Sequence, residues 1–419
     1  MRRAVFLPSL WLLGCSSAGA DLDATTVDAG ARDSGAADSS VIDSGVDSDS
    51  GVDAGTTPGD AAVTDTGVDP CAGGPPPSFR GLGDLVGGST RSIALGISRD
   101  GTTVVGQSNS SLGPEAFRWR AGTGMLGLGA LTSGSFGSMA YAVSGDGSVV
   151  VGTSNSSLVD CPGRSDAAFR WTAASGLVGL DDLAMGCFFS YAYGISVDGS
   201  LIVGGGTNAL TNAAAFWSNG AWTDLGLAQG LNNSSSLAAI TPDLRFVVGT
   251  HRIDDGASYN AIRWSEAGGE ENLGDLGGGA IFASATAISD DGAAVIGTGT
   301  STAGVEAFLW KATTGLVGLG DFSGGAFESH AAAISPDGLW IVGQGTTATG
   351  PEAAVWHSGG PMTPLSAMLP TYNVTVPAGW TLTGITGVTT STAVVIFSGN
   401  GTNPSGAEEA WIARICVGP

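Results

Sequence analysis

The chain has 419 residues, 70 of them Gly, with 13% charged residues and a net charge of −23. That balance excludes a protein that holds nucleic-acid phosphates or anionic lipid by clustered Lys and Arg, since Lys311 is the sole lysine. The abundance of Gly and of small and β-branched residues favours strands joined by tight turns over helices, and the length admits a large core.

Residues 1–15 read as an address. Arg2 and Arg3 precede an apolar run, Ala4 to Leu13, of signal-peptide length and too short to span a bilayer. Leu12-Leu13-Gly14-Cys15 resembles a bacterial lipobox, which implies that the Cys15 thiol is acylated and tethers the chain to a membrane; cleavage after Ala18 or Ala20 by an ordinary secretory route is the alternative. Either route exports the chain, and lipid anchoring to the outer membrane, on its surface or periplasmic side, is expected.

Residues 16–78 read as a tether. Twelve Asp stand against one Arg between Ser16 and Pro77, with no aromatic residue and no period. Such a segment buries too little apolar area to offset its ordering entropy, and like-charge repulsion extends it.

Residues 79–419 are repetitive, and three anchors align the units. The first is an Asp-containing turn: Asp100, Asp146, Asp198, Asp243, Asp291 and Asp337, each followed by Gly except Asp243, which precedes Leu244. The second is a β-branched pair closed by Gly, as at Val104-Val105-Gly106 and Ile341-Val342-Gly343. The third is Ala-x-x-Trp, at Ala116 to Trp119, Ala168 to Trp171, Ala214 to Trp217, Ala261 to Trp264, Ala307 to Trp310 and Ala353 to Trp356. A seventh, degenerate copy runs from Trp380 to Ile415, with Trp411 displaced by two places, as terminal repeats often are.

In the clearest copy four strands are expected, at Ser284 to Ser289, Ala294 to Gly299, Glu306 to Lys311 and Leu316 to Phe322. Asp-Gly between two apolar runs predicts a hairpin, and the Asp carboxylate is expected to accept backbone N–H groups in the turn. Four short strands per repeat, apolar on both faces, predict an all-β, seven-bladed β-propeller. The run Arg80 to Leu85 has the sequence of a spare fourth strand, while the seventh unit stops after its third; the N-terminal strand is therefore expected to pair with the C-terminal blade and close the ring. An open solenoid of the same strands is the alternative.

If Cys15 carries lipid, four cysteines remain, allowing three pairings. A Cys71–Cys416 bridge would staple the proposed closure, leaving Cys161 with Cys187, and such bridges suit an exported protein. No Cys/His spacing suits zinc, and no metal or other cofactor is expected.

The pattern AISxDGxxVVG, then Ala-Phe-x-Trp, then Gly-Leu-x-x-Leu-Gly-x-Leu resembles the bacterial extracellular HAF-repeat family over roughly Phe79 to Ile415. The His of the eponymous triplet is absent: Glu115-Ala116-Phe117, Ala167-Ala168-Phe169 and Glu306-Ala307-Phe308 stand there. The turn Ser335-Pro336-Asp337-Gly338 is similar to those of TolB-like propellers. Neither resemblance brings a catalytic residue.

His251, His330 and His357 fall in different units, no Gly-x-Ser-x-Gly elbow has a plausible base, and the repeated Asp residues serve turns, so no catalytic residue stands out and a non-enzyme is expected. The anchor Trp residues read as packing between repeats, whereas Trp222, Trp340 and Trp380 lie off the anchor and are candidates for a contact surface. The reading is thus a monomeric, lipid-anchored binding or scaffold module for a protein or glycan, with no nucleic-acid partner. A glycan-acting lyase or hydrolase, which would cluster ionisable groups at the axis, and a purely structural surface protein are the alternatives.

Overall fold

The computed structural model describes residues 71, 75–131, 135–156, 166–183, 188–208, 212–227, 234–253 and 258–418. They belong to the second of two compact units, Val68–Pro419. Cys15, Cys161, Cys187 and the tether as far as residue 70 lie outside the described residues.

The unit is all-β, with successive four-stranded antiparallel groups. The N-terminal strand β1 (Ser78–Gly81) precedes the first group, β2 (Gly87–Ile97), β3 (Thr103–Ser110), β4 (Gly113–Arg120) and β5 (Gly124–Gly127). The second holds β6 (Ser138–Val143), β7 (Val149–Asn155), β8 (Asp166–Thr172) and β9 (Gly176–Gly179). The third holds β10 (Ser190–Ile195), β11 (Ile202–Thr207), β12 (Asn212–Ser218) and β13 (Ala221–Asp224). The fourth holds β14 (Ser234–Ile240), β15 (Val247–Ile253), β16 (Ser258–Ser265) and β17 (Gly269–Asn272). The fifth holds β18 (Gly278–Ile288), β19 (Ala294–Ser301), β20 (Val305–Lys311) and β21 (Gly315–Gly318). The sixth holds β22 (Gly324–Ile334), β23 (Trp340–Thr347), β24 (Gly350–His357) and β25 (Thr363–Pro364). Single parallel bridges, Tyr259 to Phe282 and Val305 to Glu328, join the fourth group to the fifth and the fifth to the sixth.

The C-terminal group holds β26 (Thr381–Ser391), β27 (Val394–Thr402) and β28 (Glu408–Cys416), and its fourth strand is β1, in register from Ser78 opposite Arg414 to Gly81 opposite Trp411. A short helix, Leu365–Met368, and a 3-10 turn, Leu369–Tyr372, connect the sixth group to it, burying Leu365 and Leu369.

The Asp turns form as their residues dictate. In the second group the Ser144 hydroxyl donates to Asp146 Oδ1 at 2.8 Å, which also accepts the Ser148 N–H at 2.9 Å. The same arrangement recurs at Ser98/Asp100, Ser196/Asp198, Thr241/Asp243, Ser289/Asp291 and Ser335/Asp337. Gly follows Asp because the turn needs a left-handed residue, with φ near 70° at Gly101 and Gly147; in the fourth group Leu244 adopts φ 62° instead.

The Gly that closes each β-branched pair has a different cause. The first strand of every group carries a bulge, which brings its backbone over the second strand. A Cβ at Gly106, Gly152, Gly204, Gly249, Gly297 or Gly343 would collide with a carbonyl of that strand, that of Ile93 in the first case. Gly399 does the same beneath the Gly384 carbonyl, which locates the counterpart position in the degenerate C-terminal unit.

Fourth strands are shorter than the sequence suggests. β21 ends at Gly318 rather than Phe322, and β1 spans Ser78–Gly81 rather than Arg80 to Leu85. One further bond forms, from the Leu319 N–H to Ala307 O and from the Leu82 N–H to Ala410 O, and then Gly320 and Gly83 turn left-handed at φ 77° and 74°. Leu82 and Leu85 thereby leave the ladder and enter the core beside Ala94, Val104, Phe117, Trp119 and Ala410.

The anchor Trp residues pack between groups. Trp119, Trp171, Trp310 and Trp356 are buried, while Trp217 and Trp264 are partly buried in the clusters their groups share with the preceding group. In the C-terminal unit Trp411 occupies the Phe position of the repeat, fully buried like Phe117, Phe169 and Phe308. The displacement by two places therefore keeps an aromatic ring between neighbours at a site worth about 2–3 kcal/mol of burial.

A buried serine on the first strand bridges to the preceding group. Ser138 accepts the Ala116 N–H at 2.9 Å and donates to Gly129 O at 2.6 Å. Ser329 does so with Ala307 and Gly320, and Ser190 and Ser235 accept from Ala168 and Ala214. Ser92 repeats this between the first and the C-terminal groups, accepting the Ala410 N–H at 3.1 Å and donating to Gly83 O at 2.6 Å. Asn400 adds a two-way bond with the Ala94 backbone, and the Arg80 guanidinium lies 5.3 Å over the Trp119 ring. Cys71 and Cys416 are joined in a disulfide.

Candidate functional site among the first strands

The first strands lie side by side: β2 next to β6, β6 to β10, and so on to β26, which neighbours both β22 and β2. Their other edges are hydrogen-bonded to the second strands and their faces are covered by adjacent groups, so the bulge residues face the space these strands share. Those residues are Leu95, Tyr141, Tyr193, Ala238, Thr286, Ala332 and Thr386.

That space is asymmetric. Tyr141 and Tyr193 meet edge to face with centroids 5.0 Å apart, Tyr193 lies against Tyr191 at 4.7 Å, and Phe189 follows at 5.8 Å. This aromatic wall spans the second and third groups. The residues from the fourth to the C-terminal group are small, and Ala332 of the sixth is exposed although it sits mid-strand with a group on either side. An exposed Ala there shows that the first strands leave open space at the sixth group.

Burial raises the Tyr141 and Tyr193 hydroxyls above the ordinary tyrosine range, and the Asp166 carboxylate raises both further. Both phenols stay protonated at neutral pH and can donate. On the first strand of the sixth group His330, two residues before Ala332, has Nε2 3.3 Å from Glu328 Oε1 and Nδ1 3.4 Å from Thr298. Burial lowers its pKa, against the opposing pull of Glu328 and Asp321, so the ring is neutral near pH 7. Asp321 is committed to structure, accepting the Glu328 and Thr346 N–H groups at 2.8 and 2.9 Å. Gln107, Thr153, Thr250, Thr298, Gln344 and Asn400 occupy one repeat position, just past the second-strand glycine, and four of them bond across to the next group: Gln107 Nε2 donates to Ser138 O, Thr250 meets Ser284, Thr298 meets His330 and Asn400 bonds the Ala94 backbone.

The recess is sealed at the end where the Asp turns gather. Arg99 and Asp290 form an ion pair between the turns of the first and fifth groups, which are not neighbours in the succession. Around them the Asp100 N–H donates to Gly145 O, the Gly145 N–H to Val197 O and the Asp290 N–H to Pro336 O.

The residues singled out in the sequence fall elsewhere. Trp340 is 4% exposed, stacked on His357 with centroids 3.9 Å apart and packed against Phe397, so it belongs to the core rather than to a surface. Trp380 is partly buried and meets Phe79 at 5.2 Å, holding β1 against the C-terminal group. Trp222 is partly buried on a fourth strand, away from the recess. His251 places Nδ1 2.8 Å from Glu270, and the three histidines remain apart. No group of three or more metal-ligating residues occurs among the described residues. The tyrosines were present in the sequence as the larger members of a small/large alternation, but nothing there showed that two of them meet.

No family model and no curated protein matches the sequence. Solved structures do match at the level of fold. TolB from Acinetobacter baumannii is 13% identical over 65% of this chain, with a TM-score of 0.41, and the match spans 61% of TolB's length. The β-propeller domain of the Trilobed protease from Pyrococcus furiosus is 10% identical over 76% of this chain and 92% of that domain, with a TM-score of 0.45. Oligogalacturonate lyase from Vibrio parahaemolyticus is 12% identical over 81% of this chain and 97% of the lyase, with a TM-score of 0.48. At such identities the likeness concerns architecture and carries no activity across.

Proposed function

We propose that the seven groups form a closed seven-bladed β-propeller, exported and lipid-anchored through Cys15, that binds its ligand in the axial recess. Support for closure comes from repetition: the serine bridge that joins internal neighbours also joins Ser92 to Ala410, and the β1 pairing and the Cys71–Cys416 bridge tie the same two ends. The observation that carries the binding reading is that the seven first strands lie side by side, with a tyrosine cluster on those of the second and third groups and an exposed Ala332 mid-strand in the sixth. Binding sites are concave, with a few convergent polar groups, and this is such a place.

A thermal-shift screen of saccharides, peptides and cell-wall fragments against the wild type and Ala332→Trp tests it. A ligand that raises the Tm of the wild type and not of Ala332→Trp locates binding in the recess, by the stabilisation that any native-state ligand supplies. A ligand that raises both sits elsewhere, and stabilisation by none favours a structural role. The His330–Glu328 pair is the specific observation for a glycan-acting enzyme. Polysaccharide cleavage that is lost in Glu328→Gln while binding persists would establish that reading.

Export and anchoring rest on Arg2, Arg3, the apolar run and Cys15. No helix among the described residues is long and apolar enough to cross a membrane. Metabolic labelling with palmitate should mark the wild type and not Cys15→Ala; equal labelling rejects the anchor.

A further inference from the structure

We propose that the Cys71–Cys416 bridge is a tension clamp: a pull arriving along the chain from the membrane anchor passes through the disulfide into β28 and bypasses the N-terminal strand β1. The inference rests on the anchoring through Cys15 proposed above and adds what the junction between anchor and ring withstands.

A ring anchored at its N-terminal side and holding a partner is pulled whenever membrane and partner move apart, and that pull enters the ring at Cys71. Two routes lead on from there. One is the backbone, through β1. This is the edge strand of its sheet, paired with β28 alone over the four positions from Ser78–Arg414 to Gly81–Trp411. Ser78 and Arg80 are exposed, and Phe79 is the side chain that packs on the core, against Trp380 and Trp411. Because the strands are antiparallel, a pull at the N-terminal end of β1 falls on the bond from Arg414 Nε to Pro75 O and on the Ser78–Arg414 pair first. The pairs then open one after another, and a single hydrogen bond contributes only about 1 kcal/mol. Once β1 has peeled, the next contacts in line are Leu82 and Leu85 in the core and Ser92 on Ala410, which hold the first group against the C-terminal one. Loss of β1 therefore threatens the ring.

The other route is the disulfide. Cys416 ends β28, an interior strand paired with β27 over the nine positions from Val394–Cys416 to Thr402–Glu408. Ala410, Trp411, Ala413, Ile415 and Cys416 are all buried, so drawing β28 out exposes the core that the sixth and C-terminal groups share. The bridge is seated rather than dangling: both cysteines pack with Val394 and Ile396, and just beyond it the Val417 N–H donates to Ala393 O. A covalent bond placed ahead of β1 thus carries the pull to the better-held strand.

The test stretches the full chain in optical tweezers, with one handle at its N-terminal end and the other at Leu244, an exposed turn residue of the fourth group. The oxidised protein should give no early event. After a dithiol reductant, and in Cys71→Ser with Cys416→Ser, which leaves Cys161 and Cys187 untouched, β1 should peel first. That step should come at less than half the force at which the oxidised ring yields and lengthen the molecule by about 30 Å, the span of the freed residues 72–81. Forced opening reports the unfolding rate of the element under tension, so Phe79→Ala separates the two routes. It should lower the first rupture force in the reduced protein and leave it unchanged in the oxidised one. Equal first rupture forces with and without the bridge, an early step in the oxidised protein, or a Phe79→Ala effect in the oxidised protein each overturn the clamp. Failure of palmitate labelling at Cys15 would instead remove the membrane as the source of tension while the force measurements still decide the clamp.

Discussion

Single residues show where the repeat departs from its own pattern. Leu244 holds φ 62° where five other turns use Gly, and its side chain is 44% exposed. A left-handed non-Gly residue costs about 1 kcal/mol, so Leu244→Gly should raise the unfolding free energy measured by denaturant titration by about 0.5–1 kcal/mol. The turn carboxylates set acid stability. Hydrogen bonds from Ser148 and Ser144 hold Asp146 at about 2, below its ordinary 3.8, and Asp198, Asp243 and Asp291 are lowered for the same reason. Groups depressed on folding stabilise fully above their unfolded pKa and lose that contribution as pH falls through the folded value. Stability should therefore decline as pH drops from about 4 towards about 2, and Asp146→Asn should decline less steeply in acid unfolding followed by circular dichroism. Asp275, raised by burial, works with the opposite sign and moderates the slope. The turn role of these Asp residues was legible in the sequence, because Asp-Gly between apolar runs has local causes.

At the level of elements, the fourth strands and the serine bridges show the limits of local reading. The apolar run Leu316 to Phe322 looks continuous, yet Gly320 bends it because its leucines are needed on different layers. The serine that bridges two groups is invisible as such in the sequence, where Ser is plentiful. Ser138→Ala would leave the Ala116 N–H and Gly129 O buried without partners and should cost about 2–3 kcal/mol in chemical denaturation. Ser92→Ala should cost the same in a closed ring, although its partner Ala410 is 318 residues away. A much smaller loss would show that the ends separate easily.

For the molecule as a whole, the two chain ends decide whether the groups act as one body. Strand β1 pairs with β28, Phe79 packs on Trp380 and Trp411, and Cys71 is bonded to Cys416 across a separation of 345 residues. Cross-linking so long a loop removes unfolded-state entropy worth about 3–5 kcal/mol. Reduction, or Cys71→Ser with Cys416→Ser, should lower the unfolding midpoint accordingly while leaving the native circular dichroism spectrum unchanged.

The sequence by itself determined the repeat, its strands, its Asp turns and the spare N-terminal strand. Each of these is encoded in contiguous residues, whose periodicity and turn chemistry act locally. It also pointed to the bridge between Cys71 and Cys416, because few pairings were open. Only the tertiary structure decided that Trp340 is core and Trp380 a clasp, since spacing does not say which face of a strand a neighbour covers. The tertiary structure alone also brought Tyr141 onto Tyr193, left Ala332 exposed mid-strand and paired Arg99 with Asp290. Those contacts join residues from different repeats, where the angle between sheets rather than the order of residues sets the distance.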